Sequence, residues 1–219
     1  MKALRISDYG APLHVDEVPV PTPAPGQVLV ENFYTSMNGV DPGRSQGFLR
    51  QVFQLQFPWT PGGDVAGRVA AIGEGVTNFR VGDEVFGYTR EAGAYAEFVL
   101  VNAASLAQRP TSISAEVGAA IALVGQTANQ MLGLSNVTPG QTLLILGASG
   151  GVGTLAIQLA RNAGYTSSPL LAGTKSRPSR FWEPSVSSIC QRSDWKTSHR
   201  LMQCSTSSDK TRWCRRMRL

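Results

Sequence analysis

The chain has 219 residues and a formal net charge of +5, with 42% hydrophobic residues, an ordinary share for a soluble globular protein. That length suits one large domain or two small ones. No apolar run reaches the roughly 18 residues of a membrane span, and the start Met1-Lys2-Ala3-Leu4-Arg5-Ile6-Ser7-Asp8 lacks the apolar stretch of a secretory leader, so a cytoplasmic protein with no membrane partner is expected.

Residues 1–20 alternate loosely and break on Pro19, Pro21, Pro23 and Pro25. Gln27 to Phe33 then reads as a strand, Val65 to Ile72 as a second, Glu84 to Tyr88 as a third and Ala94 to Val101 as a fourth. Short strands at this spacing, punctuated by Gly and Pro, predict an all-β barrel or sandwich. The period changes at Ser114, a plausible N-cap, and Ser114 to Leu134 reads as a helix. Thr142-Leu143-Leu144-Ile145-Leu146 is a continuous apolar run, as expected of a strand buried on both faces of a parallel sheet. Thr154 to Arg161 reads as the helix that follows it.

Between that strand and that helix lies Gly147-Ala148-Ser149-Gly150-Gly151-Val152-Gly153. Glycine lets a backbone turn tightly and approach a pyrophosphate, and the free N–H groups at the start of a helix face the anion. A lone glycine pattern is weak, but here the strand, the loop and the helix come in the order the mechanism needs. An ordinary flexible turn does not account for four glycines in that setting. Ser149, Gly150, Gly151, Val152 and Gly153 are the candidate cofactor-binding residues.

These residues carry a resemblance. Gly140-Gln141-Thr142-Leu143-Leu144, running through the loop to Gln158, resembles the signature of the quinone oxidoreductase (zeta-crystallin-like) family of zinc-free medium-chain dehydrogenases/reductases. Pro61-Gly62-Gly63-Asp64-Val65-Ala66-Gly67, the stretch Ile72 to Gly87, Gly93-Ala94-Tyr95-Ala96-Glu97 and Val124-Gly125-Gln126-Thr127-Ala128 are similar to it as well. The resemblance covers about residues 1–165. It implies an α/β fold with a β-barrel: a GroES-like catalytic domain over 1–120, then the start of an NADP-binding Rossmann domain over 121–165. It also implies hydride transfer from NADPH to a quinone or another activated alkene or carbonyl. Thr127 matches a position beside the nicotinamide, and Asn38 and Asp41 match substrate-pocket positions. Asn38 would hold a carbonyl oxygen and Asp41 would orient it, though both residue types also cap loops. Gly47-Phe48-Leu49 offers Phe where the family often has Tyr, which leaves the substrate open.

Zinc is not expected. Where zinc alcohol dehydrogenases carry Gly-His-Glu this chain has Gly62-Gly63-Asp64, and near Ser36-Met37 it lacks their first zinc cysteine. Catalytic zinc needs His and Cys ligands, and the first 165 residues hold no Cys and only His14, which reads as a surface residue beside a strand.

The chain changes character after Tyr165. Residues 1–165 carry 9 Lys+Arg against 12 Asp+Glu, a net of −3; residues 166–219 carry 11 against 3, a net of +8. The basic balance is therefore no argument that the folded part binds nucleic acid. Cys190, Cys204 and Cys214 and three of the four Trp lie in this tail, with no metal-like or disulfide spacing. Moving the reading frame so that each true codon begins one base earlier converts three tail segments, in order, into family-like sequence. Tyr165 to Ser176 can become YTVIATTSRNEV, Ser179 to Glu183 IQVLG, and Gln203 to Arg212 AVFDLIGQDT. The tail reads as out of frame from about residues 165–167, through a frameshift, a mis-spliced transcript or a sequencing error. The other reading is a basic disordered extension, since Ser/Arg-rich segments with few aliphatics do not bury enough surface to fold.

On this reading the chain has one Rossmann strand and one helix, and poor folding is expected beyond about residue 115. The restored frame reads T-S-R near the ribose site, with no acid and an Arg suited to a 2′-phosphate, which favours NADPH over NADH. The family is homodimeric, and its dimer edge would lie in the missing part. Three functions stay open: a quinone reductase-like enzyme by ancestry, an enoyl-thioester reductase on the same scaffold, and an inactive fragment acting at most as a binding module.

Overall fold

The computed structural model describes residues 1–170 and 200–203. Two compact units divide the chain, Met1–Leu123 and Val124–Leu219.

The first unit opens with a hairpin of β1 (Lys2–Arg5) and β2 (His14–Glu17). His14 thus lies within a strand, its ring exposed and 3.4 Å from Asp16. β3 (Gln27–Tyr34), a short helix α1 (Val40–Ser45), β4 (Asp64–Ile72), β5 (Glu84–Tyr88) and β6 (Phe98–Asn102) follow. A turn of 3-10 helix at Ala103–Ser105 leads to β7 (Leu106–Gln108). The order β6-β3-β4-β5-β7 makes an antiparallel five-stranded sheet. The strands contribute to a shared core of Val28, Val30, Val65, Val69, Val85, Val99, Val101 and Leu106. β-branched residues with a period of two are what a half-buried pleated surface selects. The fourth strand is shorter than expected. Ala94–Glu97 is held by the Ala3–Ala96 bridge and by the Leu4 N–H donating to the Tyr95 carbonyl at 2.8 Å, outside the β6 ladder.

α2 (Ala115–Ser135) begins after Ser114, whose carbonyl accepts the Gly118 N–H at 3.0 Å. It is a helix rich in small residues, so its flanks approach neighbours closely. Ala119 and Ala122 are buried in the first unit, and Ala128 and Leu132 are buried in the second.

In the second unit β8 (Thr142–Leu146) leads into α3 (Gly151–Asn162), then β9 (Thr166–Leu170). β10 (Arg200–Gln203) completes a parallel sheet of order β10-β8-β9. Two expectations are corrected here. The helix after the loop starts at Gly151 and not at Thr154, because the glycines of the loop take up its first turn. β8 is also not a lone strand: a parallel strand buries its edges as well as its faces, and β8 finds partners on both sides. Leu143 and Ile145 have no exposed surface, and Ala148, Ala156, Ile157 and Ala160 pack around them. The out-of-frame reading falls mainly on residues 171–199 and 204–219, which lie outside the described residues.

Candidate active site

In the first unit the expected pocket residues meet a group that the sequence did not single out. Asp64 opens β4 and has no exposed surface. The Asn38 side-chain amide donates to its Oδ2 at 2.7 Å, and the Ser36 hydroxyl donates to the same oxygen. The Leu123 N–H donates to Oδ1 at 2.8 Å. Burial pushes the Asp64 carboxyl above the usual carboxylate value, against the pull of Ser36, Asn38 and the Leu123 N–H.

Asp41 stands in the first turn of α1, and only 6% of it is exposed. Its Oδ2 accepts the Asn38 backbone N–H at 2.8 Å and the Tyr95 hydroxyl at 3.2 Å. Its own backbone carbonyl accepts the Ser45 hydroxyl at 2.9 Å. Burial is the main cause that raises the Asp41 carboxyl; the Asn38 N–H and the Tyr95 hydroxyl work against it, Asp64 adds to it, and Arg44 opposes it. Asp41 thus caps the loop at the Asn38 backbone N–H and also accepts the Tyr95 hydroxyl. Burial, then the charge of Asp41, pushes the Tyr95 hydroxyl far above its ordinary value, so it stays protonated and donates. Tyr88 is shifted the same way, by burial first and then by Asp41.

Gly62 and Gly63 make this arrangement sterically possible. A Cβ on Gly62 would overlap the Tyr95 ring, and one on Gly63 would overlap the Tyr88 ring. Gly62 also adopts φ +86°, a conformation that glycine takes freely. The Arg44 guanidinium lies 4.8 Å from the Phe53 ring centroid and 5.1 Å from that of Trp59, and it donates to the Arg90 carbonyl at 3.1 Å. An open groove of about 590 Å³ borders the cluster at Ser36 and Tyr95, with Phe33, Tyr34, Met37 and Ala94 among its mostly apolar walls.

The second unit presents the glycine-rich loop. Gly150 occupies the N-cap position with extended backbone, and no side chain caps α3. The first-turn N–H groups of Gly151, Val152 and Gly153 are thus left by side chains for an anion. A Cβ on Gly153 would overlap the Gly147 carbonyl and Ala148, so only glycine lets α3 seat so close to its loop. A Cβ on Gly151 would lie 3.3 Å from Val124 of α2. Thr127 is one helical turn further along α2, half-buried, next to the fully buried Ala128. The residues present fit a dinucleotide pyrophosphate: a cradle free of side chains and uncapped donors at a helix start.

The sequence-predicted residues therefore form two groups, Asn38 and Asp41 in the first unit and Thr127 with Ser149 to Gly153 in the second. Asp64, Ser36 and Tyr95 were missed as site residues. The available signal was an acid directly after two glycines at the head of an apolar strand. Among the described residues, no three His, Cys, Asp or Glu side chains are grouped as metal ligands would be.

Residues 24–111 match the alcohol dehydrogenase GroES-like domain. Over 74% of its length the chain is 38% identical to a chloroplast envelope quinone oxidoreductase homolog of Arabidopsis thaliana. The chain is similar to the quinone oxidoreductase family over the part that matches. The Arabidopsis relative is covered over 53% of its own length, so the chain spans about half of the relatives it matches. The structure of Escherichia coli quinone oxidoreductase complexed with NADPH aligns with a TM-score of 0.72 at 28% identity, covering 79% of this chain and 53% of that one. The CurK enoyl reductase aligns with a TM-score of 0.71 at 27% identity, covering 80% and 54%. The fold class is thus that of the family: a GroES-like domain and an incomplete Rossmann domain. No described helix is long and apolar enough to cross a membrane.

Proposed function

We propose that this chain derives from a zinc-independent, NADPH-dependent reductase of the quinone oxidoreductase kind, which delivers hydride to a quinone or a similarly activated enone. The observation that carries this reading is the uncapped, glycine-cradled start of α3 in a chain similar to that family. Gly150, Gly151, Val152 and Gly153, with Ser149 beside them, would hold the pyrophosphate, and Thr127 would face the nicotinamide. The NADPH bound to the Escherichia coli relative supports that choice of cofactor. Bound NADPH supplies the hydride; the protein contributes orientation and electrostatics. Asn38 would donate to the substrate's carbonyl oxygen. The donor set at Asp64, with Ser36 and Asn38 as its side-chain neighbours, supports chemistry without zinc.

The proposed organisation is a catalytic domain over 1–120, the start of the nucleotide domain over 121–165 and a tail over 166–219 read out of frame. Sequencing the coding DNA tests the tail: a clean frame with no alternative open through residues 165–219 would sink it. The Arg expected for the 2′-phosphate belongs to that restored frame and lies outside the described residues.

Titrating NADPH into the chain and following its oxidation with a para-quinone tests the activity. Micromolar binding with quinone-dependent oxidation, slowed but still measurable in Asn38→Ala, is expected. No binding at millimolar NADPH would refute the reading for this chain and leave a binding module. The likeness to CurK favours one second reading, reduction of an enoyl thioester; faster turnover with an enoyl-CoA than with the quinone would select it.

A further inference from the structure

We propose that Asp64 is a positioning residue: its carboxylate dictates which end of the Asn38 amide faces the substrate, and thereby supplies the N–H that holds the substrate's oxygen. This rests on the role given above to Asn38.

Asp64 is well placed to impose an orientation. It is the first residue of β4 and pairs with Tyr88 of β5, so its backbone is fixed in the sheet. It has no exposed surface and forms no ion pair among the described residues; neutral donors surround it instead. Burying a carboxylate without a cation is costly, and an apolar residue would fill a purely structural position at lower cost. What the carboxylate does that an apolar residue cannot is accept hydrogen bonds on both oxygens.

That property decides the chemistry of Asn38. An amide has a donor end and an acceptor end of nearly equal size, and either can be turned outward. An ionised carboxylate only accepts. Facing Asp64 Oδ2 at 2.7 Å, Asn38 has to present Nδ2 there. One N–H of Nδ2 is used, and the second remains for a ligand oxygen. The Asn38 backbone is set separately, by Asp41 at 2.8 Å. Asp41 therefore determines where the residue sits, and Asp64 determines which atom it offers. The remaining contacts keep Asp64 from turning: Ser36 shares Oδ2, and Leu123 occupies Oδ1 from the backbone of α2.

Asp64→Asn is the discriminating change, because it keeps the shape and makes one end of the side chain a donor. With its oxygen toward the Leu123 N–H, the new amide turns its NH2 toward Asn38, which flips and offers oxygen to the substrate. Loss of one buried hydrogen-bond match corresponds to a fall in kcat of roughly tenfold or more. The fall should vanish in the Asn38→Ala background, since Asp64 acts through that residue. An equal fall in both backgrounds would overturn the proposal. A second measurement needs neither turnover nor a folded variant: a through-hydrogen-bond scalar coupling between Asn38 Nδ2 and Asp64 Cγ in the unmodified 219-residue chain. Its presence is expected, and its absence with both signals resolved would overturn the proposal. If the unmodified chain turns over no acceptor, the functional reading fails by itself. The positioning claim is then judged on the Asn38 Nδ2 proton resonances, which must shift in Asp64→Asn.

Discussion

Asp41 and Asp64 are buried carboxylates whose proton affinity burial raises in the folded state. The linkage sign follows directly. A group whose pKa is higher folded than unfolded stabilises fully below its ordinary value, 3.8 here, and that contribution is lost as pH rises through the folded value. Lowering the pH from neutrality toward that ordinary value should therefore raise the Tm of the wild-type chain relative to Asp41→Asn, which has no such titration. Parallel Tm profiles for the two proteins would contradict it. At Gly62 the constraint is steric. Gly62→Ala puts a methyl group into the Tyr95 ring at φ +86°, and the backbone conformation alone costs about 1–2 kcal/mol for a residue with a Cβ. Calorimetry should show a clear loss of stability, partly recovered by Tyr95→Ala, which removes the collision but not the backbone strain.

At the scale of the element, the start of α3 lets stability and the proposed nucleotide binding be tested separately. A negative charge near a helix N-terminus is favourable to the helix, yet it occupies the place of an anionic ligand. Ser149 is exposed, just before the N-cap Gly150. Ser149→Glu is expected to leave the Tm unchanged or slightly higher while weakening NADPH binding about tenfold, as read by nucleotide fluorescence. Equal affinity in both proteins would argue against the loop as the phosphate site. Gly153 behaves differently, because any side chain there meets the Gly147 carbonyl, so Gly153→Ala should lower both stability and binding.

At the scale of the whole molecule, each unit holds its own apolar core. Val65 has no exposed surface in the first, and Ile145 none in the second. Val65→Ala removes two methyl groups from a packed interior, a cost of about 2 kcal/mol. Native-state hydrogen exchange should then accelerate at β3, β4 and β5 while the amides of β8 keep their protection, as expected of separate cooperative units. Uniform acceleration through residue 162 would mean that the chain unfolds as one.

Much of this was legible along the chain. The short apolar runs from Gln27 onward, punctuated by Gly and Pro, and the five-residue run at Thr142 identified strands of two kinds. The glycines after Leu146 marked a tight turn between a strand and a helix, because period and backbone freedom are local properties of successive residues. The pairing of β9 and β10 with β8 was not legible, since Thr166 to Leu170 shows no sustained apolar period and a parallel ladder joins strands distant in sequence. Nor was Asp64. Its sequence neighbours are glycine and valine, and its three donors stand 26, 28 and 59 residues away. The amino-acid sequence by itself determined the fold class and the strand–loop–helix order around Gly147 to Gly153. Only the tertiary structure decided that Ser36, Asn38 and Leu123 converge on one buried carboxylate, because that convergence is produced by the antiparallel pairing of β3 with β4 and the passage of α2 beside them.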